Sequence, residues 1–175
     1  MSFHAFVPED FGVPTRVETP RFTVVPLTMD RFAIDFECYM SSVEHIKATY
    51  SIDESMHVGP GLVWPEGVTI RMALLDAASC EMAFYHLRSQ FAFQVLDPFE
   101  TRQLGCVYLF PTTRRGYDAE ARMWVRRDEF DHGFDTELYA WFRGWVDTAW
   151  PFRHVAWPGR EIPWNDWMSL PLKER

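Results

Sequence analysis

Between Phe91 and Trp150 the apolar residues change their spacing twice, and few folds accommodate that change. Phe91, Phe93 and Val95 alternate with Ala92, Gln94 and Leu96, the period of a strand, and Asp97-Pro98 then opens a turn. Gln103 to Phe110 is almost wholly apolar, as expected of a central strand covered on both faces. Gly105 inside it predicts a bulge or the close approach of another backbone. After a turn at Arg114–Asp118, Ala119, Ala121, Met123 and Val125 alternate with Glu120, Arg122, Trp124 and Arg126. The second of these faces is too polar for dry core, so it is expected to border water or a cleft. From Phe134 the period becomes helical, with Leu138, Trp141, Phe142, Trp145 and Ala149 on one stripe until Pro151 stops it. Three strands in a meander that feed one amphipathic helix indicate an α+β domain.

The flanking segments fit around that unit. Residues 1–21 carry Pro8, Pro14 and Pro20 and are expected to form an extended arm, held down by Phe3, Phe6, Val7 and Phe11. Phe22–Leu27 is a short strand, and Thr28 is placed to cap a helix whose stripe is Phe32, Phe36, Tyr39, Met40, Val43 and Ile46. Asp30, Asp35, Glu37 and Glu44 fall largely off that stripe. Residues 51–69 contain Gly59-Pro60-Gly61 and Trp64-Pro65 and form an irregular loop. Met56, His57 and Trp64 are its candidate ligand contacts, against the alternative of a loop stapled to the body by Trp64. A second helix is expected over about 70–89, with Leu75, Ala78, Met82 and Tyr85 in register. His154–Trp157 is a last short strand, and residues 158–175 are a short tail docked by Trp164 and Trp167.

Composition narrows the function classes. A chain of 175 residues with 47% hydrophobic residues makes one domain, 1–175. Its net charge of −8 argues against a nucleic-acid partner, and no apolar run reaches the roughly 18 residues of a membrane span. With no basic-then-apolar leader and three scattered cysteines, the expected location is the cytoplasm. The histidines show neither HxxxH nor HExxH spacing, so no metal site is expected. Six of the eight tryptophans lie between Trp141 and Trp167, enough aromatic surface to raise the alternative of a homodimer through this end of the chain.

The order strand, helix, loop, helix, three strands, helix, strand resembles the GNAT superfamily of N-acetyltransferases over roughly residues 22–157. The segments LGCVYLFP, DAEARMWVR and ELYAWFRGWVDTAWPFRHVAWPGR carry the likeness. The resemblance implies layers of helices on both faces of a mixed, mostly antiparallel sheet, here truncated at the C-terminus. It implies an acyltransferase that takes an acetyl or other acyl group from acyl-CoA to a small amine. By the same resemblance the cofactor edge is Trp124, Val125, Arg126 and Arg127, followed by His132, Gly133 and Phe134 at the helix start. There a helix N-terminus offers unpaired N–H groups to a diphosphate. Glu120 is the matching general base, with a surface carboxylate paired to Arg122 as its alternative. No tyrosine stands at the position of the family's acid.

The family's diphosphate signature, Gln/Arg-x-x-Gly-x-Gly/Ala, is matched here only at Gly133 of Phe130-Asp131-His132-Gly133-Phe134-Asp135. Asp128, Glu129, Asp131 and Asp135 add negative charge there, partly offset by Arg126, Arg127 and His132. A like-charge pair at 4 Å costs about 1 kcal/mol in bulk water and about 4 kcal/mol at an effective dielectric of 20. Two readings therefore stand: an acyl-CoA-dependent N-acyltransferase, or a non-catalytic binding or interaction module on the same fold.

Overall fold

A computed structural model describes residues 6–53, 56–59 and 61–173. Along the chain run β1 (Val17–Glu18), β2 (Thr23–Pro26), a 3₁₀ turn (Met29–Arg31), α1 (Phe32–Met40), α2 (Val43–Thr49), β3 (His57–Gly59) and β4 (Leu62–Val63). Then follow α3 (Ile70–Met82), a π turn (Ala83–Leu87), β5 (Phe91–Leu96), β6 (Gln103–Pro111) and β7 (Ala119–Val125). The chain closes with α4 (Arg127–Asp131), α5 (Phe134–Ala149), β8 (Val155–Ala156) and α6 (Trp164–Ser169).

Six strands form one sheet in the order β1-β2-β5-β6-β7-β8, antiparallel throughout except for the parallel pair β7–β8. Its two faces are covered differently, which the alternation in β5 and β7 dictates. Phe91, Phe93, Val95, Ala121, Met123 and Val125 meet Leu138, Phe142, Trp145 and Val146 of α5, with Val7 of the arm sealing one end. On the other face Cys106 and Trp124 meet Cys38, Tyr39, Ile46 and Tyr50, while Ala92 packs with Leu27 and Ala77. Fully burying one such large apolar side chain contributes about 1.5–3 kcal/mol. Three of the tail-end tryptophans, Trp145, Trp150 and Trp157, are spent in this packing, and Trp167 is buried against Tyr117.

Gly105 sits where a Cβ would stand 2.3 Å from the Trp124 carbonyl oxygen and 2.9 Å from Val125 Cα. The β5–β6 register also shifts between Val95 and Leu96, so both the bulge and the close approach are present.

Three expectations are corrected. The first helix is two helices, because the chain breaks at Ser41-Ser42, where the Ser41 hydroxyl donates to the Cys38 carbonyl at 2.7 Å. Thr28 makes no side-chain bond to the backbone; its hydroxyl donates to Asp30 instead. The register Leu75, Met82 and Tyr85 faces solvent, and α3 turns Ala73 and Ala77 inward. Small side chains let that helix lie close to the sheet, which periodicity alone does not reveal. Thr69, by contrast, caps α3, accepting a bond from the Met72 N–H.

Asp35 is the largest departure. It is buried and accepts hydrogen bonds from Gln103 Nε2 at 2.6 Å and Cys106 Sγ at 3.4 Å. Gln94 Nε2 in turn donates to Gln103 Oε1 at 2.6 Å. Among the described residues no arginine or lysine pairs with it. Burial pushes its carboxyl up to about 6, although the bonds from Gln103 and Cys106 oppose the rise.

Candidate functional site

β8 pairs with β7 only at Ala119↔Val155 and Glu120↔Ala156. Beyond that point the two chains part. Pro158 and Gly159 turn away, with Gly159 at φ +75°, and the Trp164 indole fills the space a Cβ would need, its Nε1 2.5 Å from that position. The parting leaves a cleft of about 290 Å³, walled by Arg122 and Met123 on one side, Gly159, Arg160 and Trp164 on the other, and Tyr50 behind. Arg160 reaches across to the start of α5 and grips Asp135 with two bonds of 2.5 and 2.7 Å. The Arg122 guanidinium lies 5.4 Å from the Trp164 ring centroid.

Of the two surroundings expected for the polar face of β7, water or a cleft, it borders a cleft, at Arg122, and is otherwise buried. Glu120, Arg122 and Arg126 are 8%, 7% and 8% exposed, because each charge is met by another. Arg122 donates to Glu120 at 2.7 Å and to Asp53 at 3.0 Å; Arg126 donates to Glu37 at 3.1 Å and to the Gln103 carbonyl at 3.2 Å. Burial raises the Glu120 carboxyl above its ordinary range, while the charge and hydrogen bond of Arg122 pull it back. Arg122, not Glu120, lines the cleft. Glu120 lies at the paired end of β7, so a substrate in the cleft meets the guanidinium in front of it.

The segment expected to cradle a diphosphate is itself helical. In and around α4 the N–H groups are already spent: Arg127 on the Ser42 hydroxyl, Glu129 on the Asp128 carboxylate, Phe130 on the Arg126 carbonyl, and His132 and Gly133 on Glu129 and Phe130. The acids of this stretch are paired as well. Asp128 and Glu129 take Arg102, Asp131 takes Arg127, and Asp135 takes Arg160. Their charge is thus largely neutralised, and the N–H donors of α4 are used; the first turn of α5 carries no side-chain cap, but the Asp135–Arg160 pair stands beside it. Gly133 holds φ +83° to let α5 begin, and Phe134 is buried beneath Arg21. Trp124 and Val125 are buried too, the indole N–H donating to the Tyr108 hydroxyl at 2.9 Å. Of the residues expected along the cofactor edge, none lines the cleft, whose wall is Arg122 and Met123. His132 turns to its own helix, its Nδ1 2.6 Å from the Asp128 carbonyl. The α4 segment itself does not fit a coenzyme diphosphate, because its N–H groups already have acceptors.

A second cavity of about 200 Å³ adjoins the first across Tyr50, which lines both. Trp64, Tyr108, Phe110 and Met56 wall it, and Asp76 and Cys80 of α3 stand at its side. Two residues of the 51–69 loop, Met56 and Trp64, are therefore brought to a cavity, and that loop folds as the hairpin β3–β4. The His57 side chain and residue Phe3 lie outside the described residues. Tyr50, Asp76, Arg160 and Trp164 have no motif around them in the sequence. Gly159 after a strand was the one visible mark of the turn that makes the cleft. Among the described residues no three metal-ligating side chains gather, and no helix is long and apolar enough to cross a membrane.

Comparison with solved structures places this architecture. The ribosomal-protein-S5-alanine acetyltransferase from Vibrio fischeri superposes with a TM-score of 0.56 at 13% identity, over 76% of this chain and 67% of that one. The fold is GNAT-like. A protein assigned to the GnaT-family acetyltransferases from Bordetella pertussis aligns more weakly, at TM-score 0.47 and 18% identity, over 78% of this chain and 74% of that one. No family model matches the chain, and no curated protein matches it in sequence. At such identities the likeness is one of fold: a mixed, mostly antiparallel sheet between helical layers.

Proposed function

We propose that the protein is an N-acyltransferase that holds the thioester arm of an acyl donor in the cleft between β7 and β8; the nitrogen of a small neutral amine attacks the thioester carbonyl, the C–N bond forming as the C–S bond breaks, and the amine's proton leaves with the thiol. One observation carries this reading. The free edge of β7 beyond Glu120 opens onto a cleft, and a second cavity lies directly across Tyr50. Two adjoining sites are what a transfer between two bound molecules requires, since holding both reactants in place removes much of the entropic barrier. In this reading the Arg122 guanidinium polarises the cleft wall, and Glu120 and Asp53 hold it in position. Tyr50, whose hydroxyl burial keeps protonated far above neutral pH, lines both sites.

Titration calorimetry with acetyl-CoA and with S-acetylpantetheine tests the proposal. Because the α4 turn has no free cradle, the two are expected to bind with similar affinity, the nucleotide diphosphate adding nothing. Absence of heat from both at millimolar ligand would overturn the reading. It would favour instead a binding module on the same fold, which the spent N–H groups of residues 127–133 specifically support.

A further inference from the structure

Cavities, charged clusters and exposed faces beyond the β7–β8 cleft differ in how much they determine. The exposed stripe Met72, Leu75 and Met82 on α3 is apolar, but nothing defines what would cover it. The Asp35 cluster is sealed from solvent and offers no room for a ligand. The aromatic cavity has walls, a charge and space.

Four aromatic rings converge around it. Tyr50 lies 5.9 Å from Trp64 and 5.7 Å from Tyr108, and Phe110 stacks on Tyr108 at 5.5 Å with an interplanar angle of 11°. Aromatic faces carry negative quadrupole potential and attract cations, the more so away from water. Asp76, a solvent-exposed residue of α3 at the side of the cavity, meets no hydrogen-bond donor or cation among the described residues. Among the described residues most other acids meet an arginine, as Glu100 does through Arg16 and Arg31 and Asp135 through Arg160. A carboxylate left without a cation beside an aromatic wall is complementary to a positive ligand. The neighbouring Cys80 thiol offers no competing nucleophile, because burial raises it well above its ordinary range. The volume, about 200 Å³, falls below that of pockets for drug-sized ligands, so the occupant is small.

We infer that this cavity binds a small organic ammonium ion, its apolar body against Trp64, Tyr108 and Phe110 and its charge shared between the ring faces and the Asp76 carboxylate. The inference rests on the proposed function and deepens it: the acceptor side selects an amine in its protonated form carried on an apolar group, and that ammonium gives a proton to water before its nitrogen attacks the thioester. It is nonetheless a statement about binding, and the cavity would bind such a cation whether or not transfer follows.

The test uses the full chain without acyl donor and compares benzylamine, charged at neutral pH, with benzyl alcohol, its neutral isostere, by protein-observed NMR titration. Benzylamine is expected to bind at least about threefold more tightly than the alcohol, with shifts centred on Trp64, Tyr108 and Phe110. Asp76→Asn, a substitution beside the cavity on α3, is expected to weaken benzylamine by about three- to tenfold and leave benzyl alcohol unchanged. Phe110→Leu is expected to weaken both. Equal affinities for the two probes, an Asp76→Asn variant that binds benzylamine as the wild type does, or shifts confined to another surface would each overturn the inference. Calorimetry with acetylpantetheine on the same samples separates the two proposals. Benzylamine binding without thioester binding removes the acyltransferase and leaves the cation site. Thioester binding with no preference for benzylamine does the reverse.

Discussion

The Asp35 carboxyl makes the stability of this protein depend on pH in a direction opposite to most carboxylates. In the unfolded chain it titrates near 3.8; in the fold burial holds it at about 6. The native state therefore binds the proton more tightly than the unfolded state does. Its contribution to stability is fully present below about pH 3.8 and is lost as pH rises through about 6. Each unit of displacement corresponds to about 1.4 kcal/mol, so the loss approaches about 3 kcal/mol above neutrality. Asp35→Asn keeps an acceptor for Gln103 Nε2 and Cys106 Sγ and cannot ionise. Urea unfolding of both proteins, followed by tryptophan fluorescence, gives the difference in stability at each pH, and titrations common to both cancel. That difference should move in favour of Asp35→Asn by about 1.5 kcal/mol between about pH 5 and about pH 8, where part of the transition is already past. At the alkaline end the variant should be the more stable by about 1–3 kcal/mol, less any cost of the new amide N–H. A difference that stays constant with pH would refute the reasoning. It would mean that Asp35 ionises in the fold as it does in the open chain.

Further outcomes follow from the same geometry. Arg122→Met takes the guanidinium away from buried Glu120 and from Asp53 and should cost about 3–5 kcal/mol in chemical denaturation at neutral pH, less in acid as the Glu120 carboxylate protonates. Adding Glu120→Gln to that variant should restore part of the loss. Gly105→Ala drives a Cβ into the Trp124 carbonyl, which is backbone and cannot swing away, so a loss of about 3 kcal/mol is expected in the same assay. Thr69→Ala removes the cap of α3 and should lower stability by about 1 kcal/mol, read as a fall in the urea midpoint with an unchanged slope.

The candidate site was only partly legible in the chain, for reasons visible residue by residue. The family resemblance implies Glu120 as a base and strand alternation puts it on the polar face, but alternation does not say which neighbour covers a side chain. Arg122, two residues on, holds it at 2.7 Å and takes the cleft for itself. The 126–135 segment was read as an acidic loop; its acids are there, yet their arginines come from Arg102, in the β5–β6 connection, and from Arg160 after β8. The aromatic cavity draws on Tyr50, Trp64, Asp76, Tyr108 and Phe110, which no local spacing relates.

What the sequence determined by itself was the scaffold. The switch of period at Phe91 and again at Phe134, with Gly105 and Pro151 as punctuation, specifies a meander feeding a helix, because backbone geometry repeats over a few residues and the apolar pattern must follow it. Tertiary structure alone decided the chemistry: that Asp35 is sealed away from any cation, that the α4 turn consumes its own donors, and that two cavities meet at Tyr50. Each of those depends on groups brought together from distant parts of the chain, and a titratable or binding group takes its properties from its neighbours in space, which periodicity does not encode.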